Sequence, residues 1–243
     1  AAWALLIKPG EKEIFQFPAD NLDAEKNLVE HHIVATLNKN KSLDIEVSST
    51  FSGLEGGYLR EIYFNKSKNT FQNELLNIMG NGVFENISLK EHKFDNMDDF
   101  TKPLKANFKF KALNFADNIM DIHFMRIPFM IGILPKPVIS GNTRYNSIKL
   151  SSITQTEPCK QIVTINFAPG TSLTKMPKDI YIDNKYGTYS VKFKKVGNSL
   201  QIEKYQQFKD IFIPVEEFEA FKEFYLDFVD KDRMKIAINV TAQ

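Results

Sequence analysis

From Leu104 to Ala112 the chain reads Leu-Lys-Ala-Asn-Phe-Lys-Phe-Lys-Ala, with an apolar residue at every second position and Lys or Asn between. Successive side chains of a strand point to opposite faces, so this run predicts a strand with one buried and one solvated face. A helix would scatter the same residues around its circumference. The pattern recurs. Ile33, Ala35 and Leu37, then Leu43, Ile45 and Val47, flank the polar turn Asn38–Ser42 and predict a β-hairpin. Tyr189, Val191 and Phe193 alternate with Ser190, Lys192 and Lys194 before the turn Gly197-Asn198, and Leu200 and Ile202 begin the return strand. In Ile162 to Phe167 both faces carry some apolar character, Ile162, Thr164 and Asn166 alternating with Val163, Ile165 and Phe167, and Lys235 to Val240 predicts a last strand. With 21 Phe and 8 Tyr against one Trp, the composition favours pleated, half-buried surfaces.

Two segments depart from this period. Phe71, Leu75, Leu76 and Met79 recur at helical spacing before Gly80 and Gly82, which predicts a helix over about 70–79. Ile213-Pro214-Val215-Glu216-Glu217 opens a second helix over about 214–229, with proline and acidic residues at its start. Val215, Phe218, Phe221, Tyr225 and Phe228 form its apolar stripe. The three glycines between Phe51 and Gly57 suit a turn or bulge, and Tyr58 to Phe64 reads equally as a strand or as the start of a third helix. The expected fold is therefore mainly β, one or more antiparallel β-sandwiches with two or three short helices. Pro128, Pro135, Pro137 and Ser140-Gly141-Asn142 interrupt the most apolar stretch. They suggest an N-terminal sub-region over 1–137 and a C-terminal one over 138–243, or one continuous domain.

At 243 residues the chain is long enough to bury a core without disulfide or metal staples. Its formal net charge of +1 gives no overall pull towards nucleic acid or an anionic membrane. The N-terminus, Ala1 to Gly10, lacks an initiator Met, a basic start and a cleavage site, and its apolar run is too short to span a bilayer. The expectation is a chain cut from something longer.

Candidate chemistry is sparse. Cys159 is the sole possible thiol nucleophile, but it follows Pro158 into a strand, without the helix N-terminus and nearby base that lower a thiol's pKa. His31 and His32 are adjacent in a strand and point apart, and His92 and His123 stand alone, so no zinc-type spacing exists. Asp95, Asp98 and Asp99 resemble a calcium loop without its central Gly and twelfth-position Glu. Glu216, Glu217 and Glu219 suit a helix start. Gly53, Gly56 and Gly57 match no phosphate-binding spacing. Lys105, Lys109 and Lys111, and later Lys192, Lys194 and Lys195, read as solvated sheet faces, with Phe108 and Phe110 on the core side. No catalytic, cofactor or metal residue is assigned, and no nucleic-acid partner or membrane span is expected.

Several stretches follow a familiar order: Thr143-Arg144-Tyr145, the strand Ile162 to Phe167 running into Ala168-Pro169-Gly170, Leu173 to Pro177, Gly187-Thr188-Tyr189, and the proline-started helix Pro214 to Phe228 before a final strand. Across about 30–240 this order resembles the β-rich C-terminal region that follows transglutaminase-like domains, of cysteine-protease type, in secreted bacterial proteins common in Bacteroidetes. The resemblance implies a non-catalytic accessory or interaction module. Its partner would be a transglutaminase-like domain of the same parent protein, or a surface polysaccharide or protein. It further implies a periplasmic or extracellular location, with the catalytic Cys, His and Asp lying outside this chain. The alternatives are a carbohydrate- or peptide-binding β-sandwich, for which Tyr58, Tyr63, Tyr145 and Tyr186 are the candidate contacts, and a hydrolase built around Cys159 or a His–carboxylate pair.

Overall fold

The computed structural model describes residues 3–5, 14–16, 27–38, 40–80, 86–113, 115–119, 122–130, 139, 144–150, 157–209 and 212–240. In the first half the chain forms β1 (Trp3–Leu5), β2 (Ile14–Gln16), β3 (Val29–Leu37) and β4 (Leu43–Phe51). The helices α1 (Leu54–Asn65) and α2 (Lys68–Gly80) follow, then β5 (Ile87–Asp95), β6 (Leu104–Ala112), β7 (Ala116–Ile119) and β8 (Ile122–Arg126). The second half adds β9 (Ile148–Lys149), β10 (Cys159–Phe167), β11 (Thr171–Leu173), β12 (Ile180–Asp183), β13 (Gly187–Val196), β14 (Ser199–Phe208) and β15 (Phe212–Ile213). A 3-10 turn at Val215–Glu217 leads into α3 (Phe218–Asp232), and β16 (Lys235–Val240) closes the order.

The result is mainly β, as the alternation requires. Eight strands make one large sheet in the order β12-β13-β14-β10-β3-β4-β6-β5, and a smaller sheet runs β11-β16-β8-β7. Every pairing in the large sheet is antiparallel except β10 with β3, which run parallel from Cys159 beside Val29 to Phe167 beside Leu37. The chain between these two strands contains two helices and several strands, so it is long enough for the crossover that parallel pairing requires. Both halves of the chain thus meet at the middle of one sheet.

The predicted hairpin is β3–β4, with Lys41 at φ 64 in its turn. The predicted turn over 51–57 is shorter than expected. Gly53 takes φ 70, where an added Cβ would lie 2.1 Å from the Asn27 side chain, and α1 begins at the next residue with Gly56 and Gly57 inside it. Leu59 and Ile62 are buried under α1, so packing outweighs the weak helix propensity of this segment. The predicted helix over 70–79 is α2, and the one over 214–229 is the 3-10 turn plus α3, which runs on to Asp232. Pro135, Pro137 and Ser140 to Asn142, the suggested boundary, lie outside the described residues.

Each long strand of the large sheet buries one parity. Ile33, Val47, Phe108, Val163 and Ile202 lie side by side on the inner face through the strand registers. In β5 a bulge between Leu89 and Glu91 shifts parity, so Ile87 and Leu89 share the inner side with His92 and Phe94. α2 packs against β5, and α3 packs over β13 and β14. After β8 the chain carries Ile127, Phe129 and Met130, all buried, over the inner face of the sheet. No helix among the described residues is long and apolar enough to cross a membrane.

Candidate functional site

On four adjacent strands the buried parity is interrupted at the same level. Ser49 on β4 pairs with His31 on β3, His31 with Gln161 on β10, and Gln161 with Lys204 on β14. All four are buried, so the centre of the inner face carries a polar row where the pattern calls for Val or Ile. One residue pair away, Phe51, Val29, Cys159, Gln206 and Tyr189 form the neighbouring row.

Buried polar groups need partners, and this row finds most of them. His31 Nδ1 lies 2.8 Å from Ser49 Oγ, and its ring meets Phe51 edge-on at 5.5 Å. Burial, helped by the charge of Lys204, lowers the imidazole to about 3, so it is neutral across the physiological range. Its Nε2 is buried without a partner among the described residues. The Met130 backbone N–H donates to Gln161 Oε1 at 2.8 Å, tying the chain after β8 to the sheet. Gln161 Nε2 donates to Cys159 Sγ at 3.7 Å. Lys204 Nζ contacts Asp232 Oδ1 in the last turn of α3, and the Tyr189 hydroxyl donates to the same oxygen at 3.2 Å. The Phe129 ring caps Nζ at 4.4 Å from its centroid.

The single cysteine sits among these groups without becoming a nucleophile. Cys159 is wholly buried, and burial pushes its thiol up to about 12, against a smaller opposing effect of Lys204. A thiol held so far above neutrality carries almost no thiolate. Glu55, at the start of α1, is pushed up to about 7 by burial and by Glu157.

The other sequence candidates disperse. His32 faces the opposite side of the sheet from His31, exposed, with Nε2 3.4 Å from Glu30. His92 packs among Phe71 and Phe94. His123 is nearly buried on β8, lowered by burial and by Lys41. In the acidic loop, Thr101 donates through its N–H and hydroxyl to Asp99 Oδ1, which with Lys102 holds that carboxyl down to about 2. The cation serving this loop is a side chain. Buried Arg60 on α1 donates to the carbonyls of Asn96, Met97, Asp99 and Lys102 at 2.8–3.2 Å, with Phe100 stacked over its guanidinium. Glu217 pairs with Lys185 at 2.8 Å. Lys109 and Lys111 pair with Glu91 and Asp44 on the outer face. Among the described residues no three His, Cys, Asp or Glu side chains gather as a metal site. Of the tyrosines, Tyr186 is buried against Phe221, Tyr63 packs on Phe71, and Tyr58 and Tyr145 are exposed. None of them lines the open groove of about 460 Å³ on the outer face, which His32, Val34, Ser48, Asn107 and Lys109 help to form.

Sequence reasoning passed over Gln161, Lys204, Asp232 and Arg60. Lys204 and Gln206 follow Leu200 and Ile202 on the apolar parity of β14, and that break was the available signal.

Residues 139–238 match the family model described as a Domain of Unknown Function with solved-structure structure (DUF3858). The matched stretch holds Cys159, Gln161, Lys204 and Asp232, whereas His31, Ser49 and Arg60 lie outside it. A solved structure described as "a putative protease from Parabacteroides distasonis" is similar over 49% of this chain at 14% identity, with a TM-score of 0.40. The similarity spans 23% of that longer chain. No curated protein matches the sequence.

Proposed function

We propose that this chain is a non-catalytic accessory module of a larger, exported protein whose chemistry resides in a transglutaminase-like, protease-type domain. The observation that carries the reading is the state of Cys159. The only thiol is sealed in the sheet, its pKa driven up by burial, with Gln161 as its hydrogen-bonding neighbour. A cysteine-dependent reaction therefore needs a cysteine from elsewhere in the parent protein.

The test is to express the complete reading frame that encodes this chain and assay peptide hydrolysis and transamidation. The expected result is activity that survives Cys159→Ser and disappears when an upstream core cysteine is replaced. A frame with no such core, or loss of activity in a folded Cys159→Ser protein, overturns the proposal.

A second reading, peptide or carbohydrate binding, is favoured by the groove on the outer face. Its mixed lining of His32, Ser48, Asn107 and Lys109 around Val34 offers donors and acceptors to a polar ligand. Glycan and peptide arrays, with His32→Ala and Asn107→Ala as controls, test it; binding unchanged in both variants removes the groove as the site.

A further inference from the structure

We propose that Lys204 and Asp232 condense into an intramolecular amide, a covalent cross-link between β14 and the last turn of α3. The two side chains are in direct contact, with 0% and 4% of their side-chain surfaces exposed. The Lys204 ammonium carries three N–H donors, and among the described residues its one hydrogen-bonding partner is Asp232 Oδ1. Two aromatic rings also flank the ammonium: the Phe129 centroid lies 4.4 Å from Nζ and that of Tyr189 5.6 Å. A buried ion pair bears a large desolvation cost and is retained where further hydrogen bonds complete it. An amide at the same place removes both charges and leaves one N–H to satisfy.

The step balances without an oxidant or reductant. A proton passes from the ammonium to the carboxylate, giving amine and acid. The Nζ lone pair attacks Asp232 Cγ and the N–C bond forms. The C–O bond to one carboxyl oxygen breaks, and that oxygen leaves as water with the protons shed by nitrogen. The Tyr189 hydroxyl, 3.2 Å from Oδ1, stabilises charge developing on oxygen, relays the proton and ends unchanged. Burial and the adjacent carboxylate raise its pKa, so the phenol holds its proton for this task. Well-oriented intramolecular pairs reach effective concentrations of about 10⁵–10⁸ M, and burial of both side chains opposes the return of water.

The test is the intact mass of the purified full chain, denatured, followed by peptide mapping. The expected result is a mass lower than the sequence mass by one water, and a branched peptide joining Lys204 to Asp232. Lys204→Met and Asp232→Ala should each restore the sequence mass, and Tyr189→Phe should lower the cross-linked fraction in a folded protein. An unmodified mass for folded wild-type protein overturns the proposal, as does a water loss that maps elsewhere.

Discussion

At the scale of single residues, Arg60 shows how one charged side chain can stand in for an ion. Its guanidinium fork gathers carbonyls spread from Asn96 to Lys102, of which those of Asn96 and Asp99 also accept turn N–H groups at 3.3 Å. Hydrogen bonds to a charged group are each worth about 1.5–3 kcal/mol, and losses above about 4 kcal/mol are rare for one substitution, so Arg60→Met should cost roughly 3 kcal/mol in urea unfolding. Arg60→Lys should recover little of this, because a point charge cannot span the fork. Full recovery by lysine would show that charge alone matters. His31 and Glu55 write opposite signatures into the pH dependence. The folded His31 titrates near 3 against a free value of 6.5, so its contribution is full above pH 6.5 and is lost as pH falls towards 3. The folded Glu55 titrates near 7 against 4.5, so its contribution is full below pH 4.5 and is lost as pH rises through 7. Between 4.5 and 6.5 the two oppose each other. Glu55→Gln should expose the histidine effect as stability falling between pH 7 and pH 5 by at most about 1.4 kcal/mol per unit. Glu55→Gln/His31→Phe should flatten the profile again. If Glu55→Gln alone is flat, His31 is not the titrating group.

At the scale of elements, α3 is held by interlocking aromatic rings and by the absence of one side chain. Phe228 meets Tyr189 edge-on at 4.6 Å and Phe208 at 5.5 Å, while Phe224 lies over Gly187. A Cβ at Gly187 would lie 2.6 Å from the Gln207 carbonyl oxygen and 3.0 Å from the Phe224 ring. Phe228→Ala should therefore cost about 3–5 kcal/mol, and Gly187→Ala about 1–3 kcal/mol by pressing the new methyl against the β14 backbone and the Phe224 ring; calorimetry on both variants checks the order. The stripe of Phe218, Phe221, Tyr225 and Phe228 was legible because helical periodicity survives without knowledge of the partner. The strands were legible for the same reason, since period two marks the buried face whichever strand lies alongside. Arg60, on α1, was not legible, because Gly56, Gly57 and the aromatic run Tyr58 to Phe64 obscure the helix until Leu59 and Ile62 find their core. The polar row showed itself only as separate parity breaks at His31, Ser49, Gln161 and Lys204. That they form one row depends on registers that periodicity does not encode.

At the scale of the whole molecule, the parallel pairing of β10 with β3 decides what can stand alone. The family match covers 139–238, yet within it β10 lies between β14 on one side and β3, far outside the match, on the other. Cutting the chain near residue 138 would bare nine paired positions along β10 and the same length of β3, each with a buried inner face that is apolar apart from Gln161 and His31. It would also remove Met130 and Phe129 from Gln161 and Lys204. Exposed edges of this length and hydrophobicity template aggregation. The expected outcome is that 1–138 and 139–243 are each insoluble or unfolded when expressed alone. Co-expressed, they should assemble into a complex whose far-UV circular dichroism matches the intact chain. A monomeric, cooperatively folding 139–243 fragment would show that the matched region is an autonomous unit and that β3 is an addition to it. The physical case against that outcome is the row itself. Without β3, Gln161 and Cys159 would face solvent on a sheet edge, and the neutral, sealed state of that centre depends on the strand that brings His31 beside them.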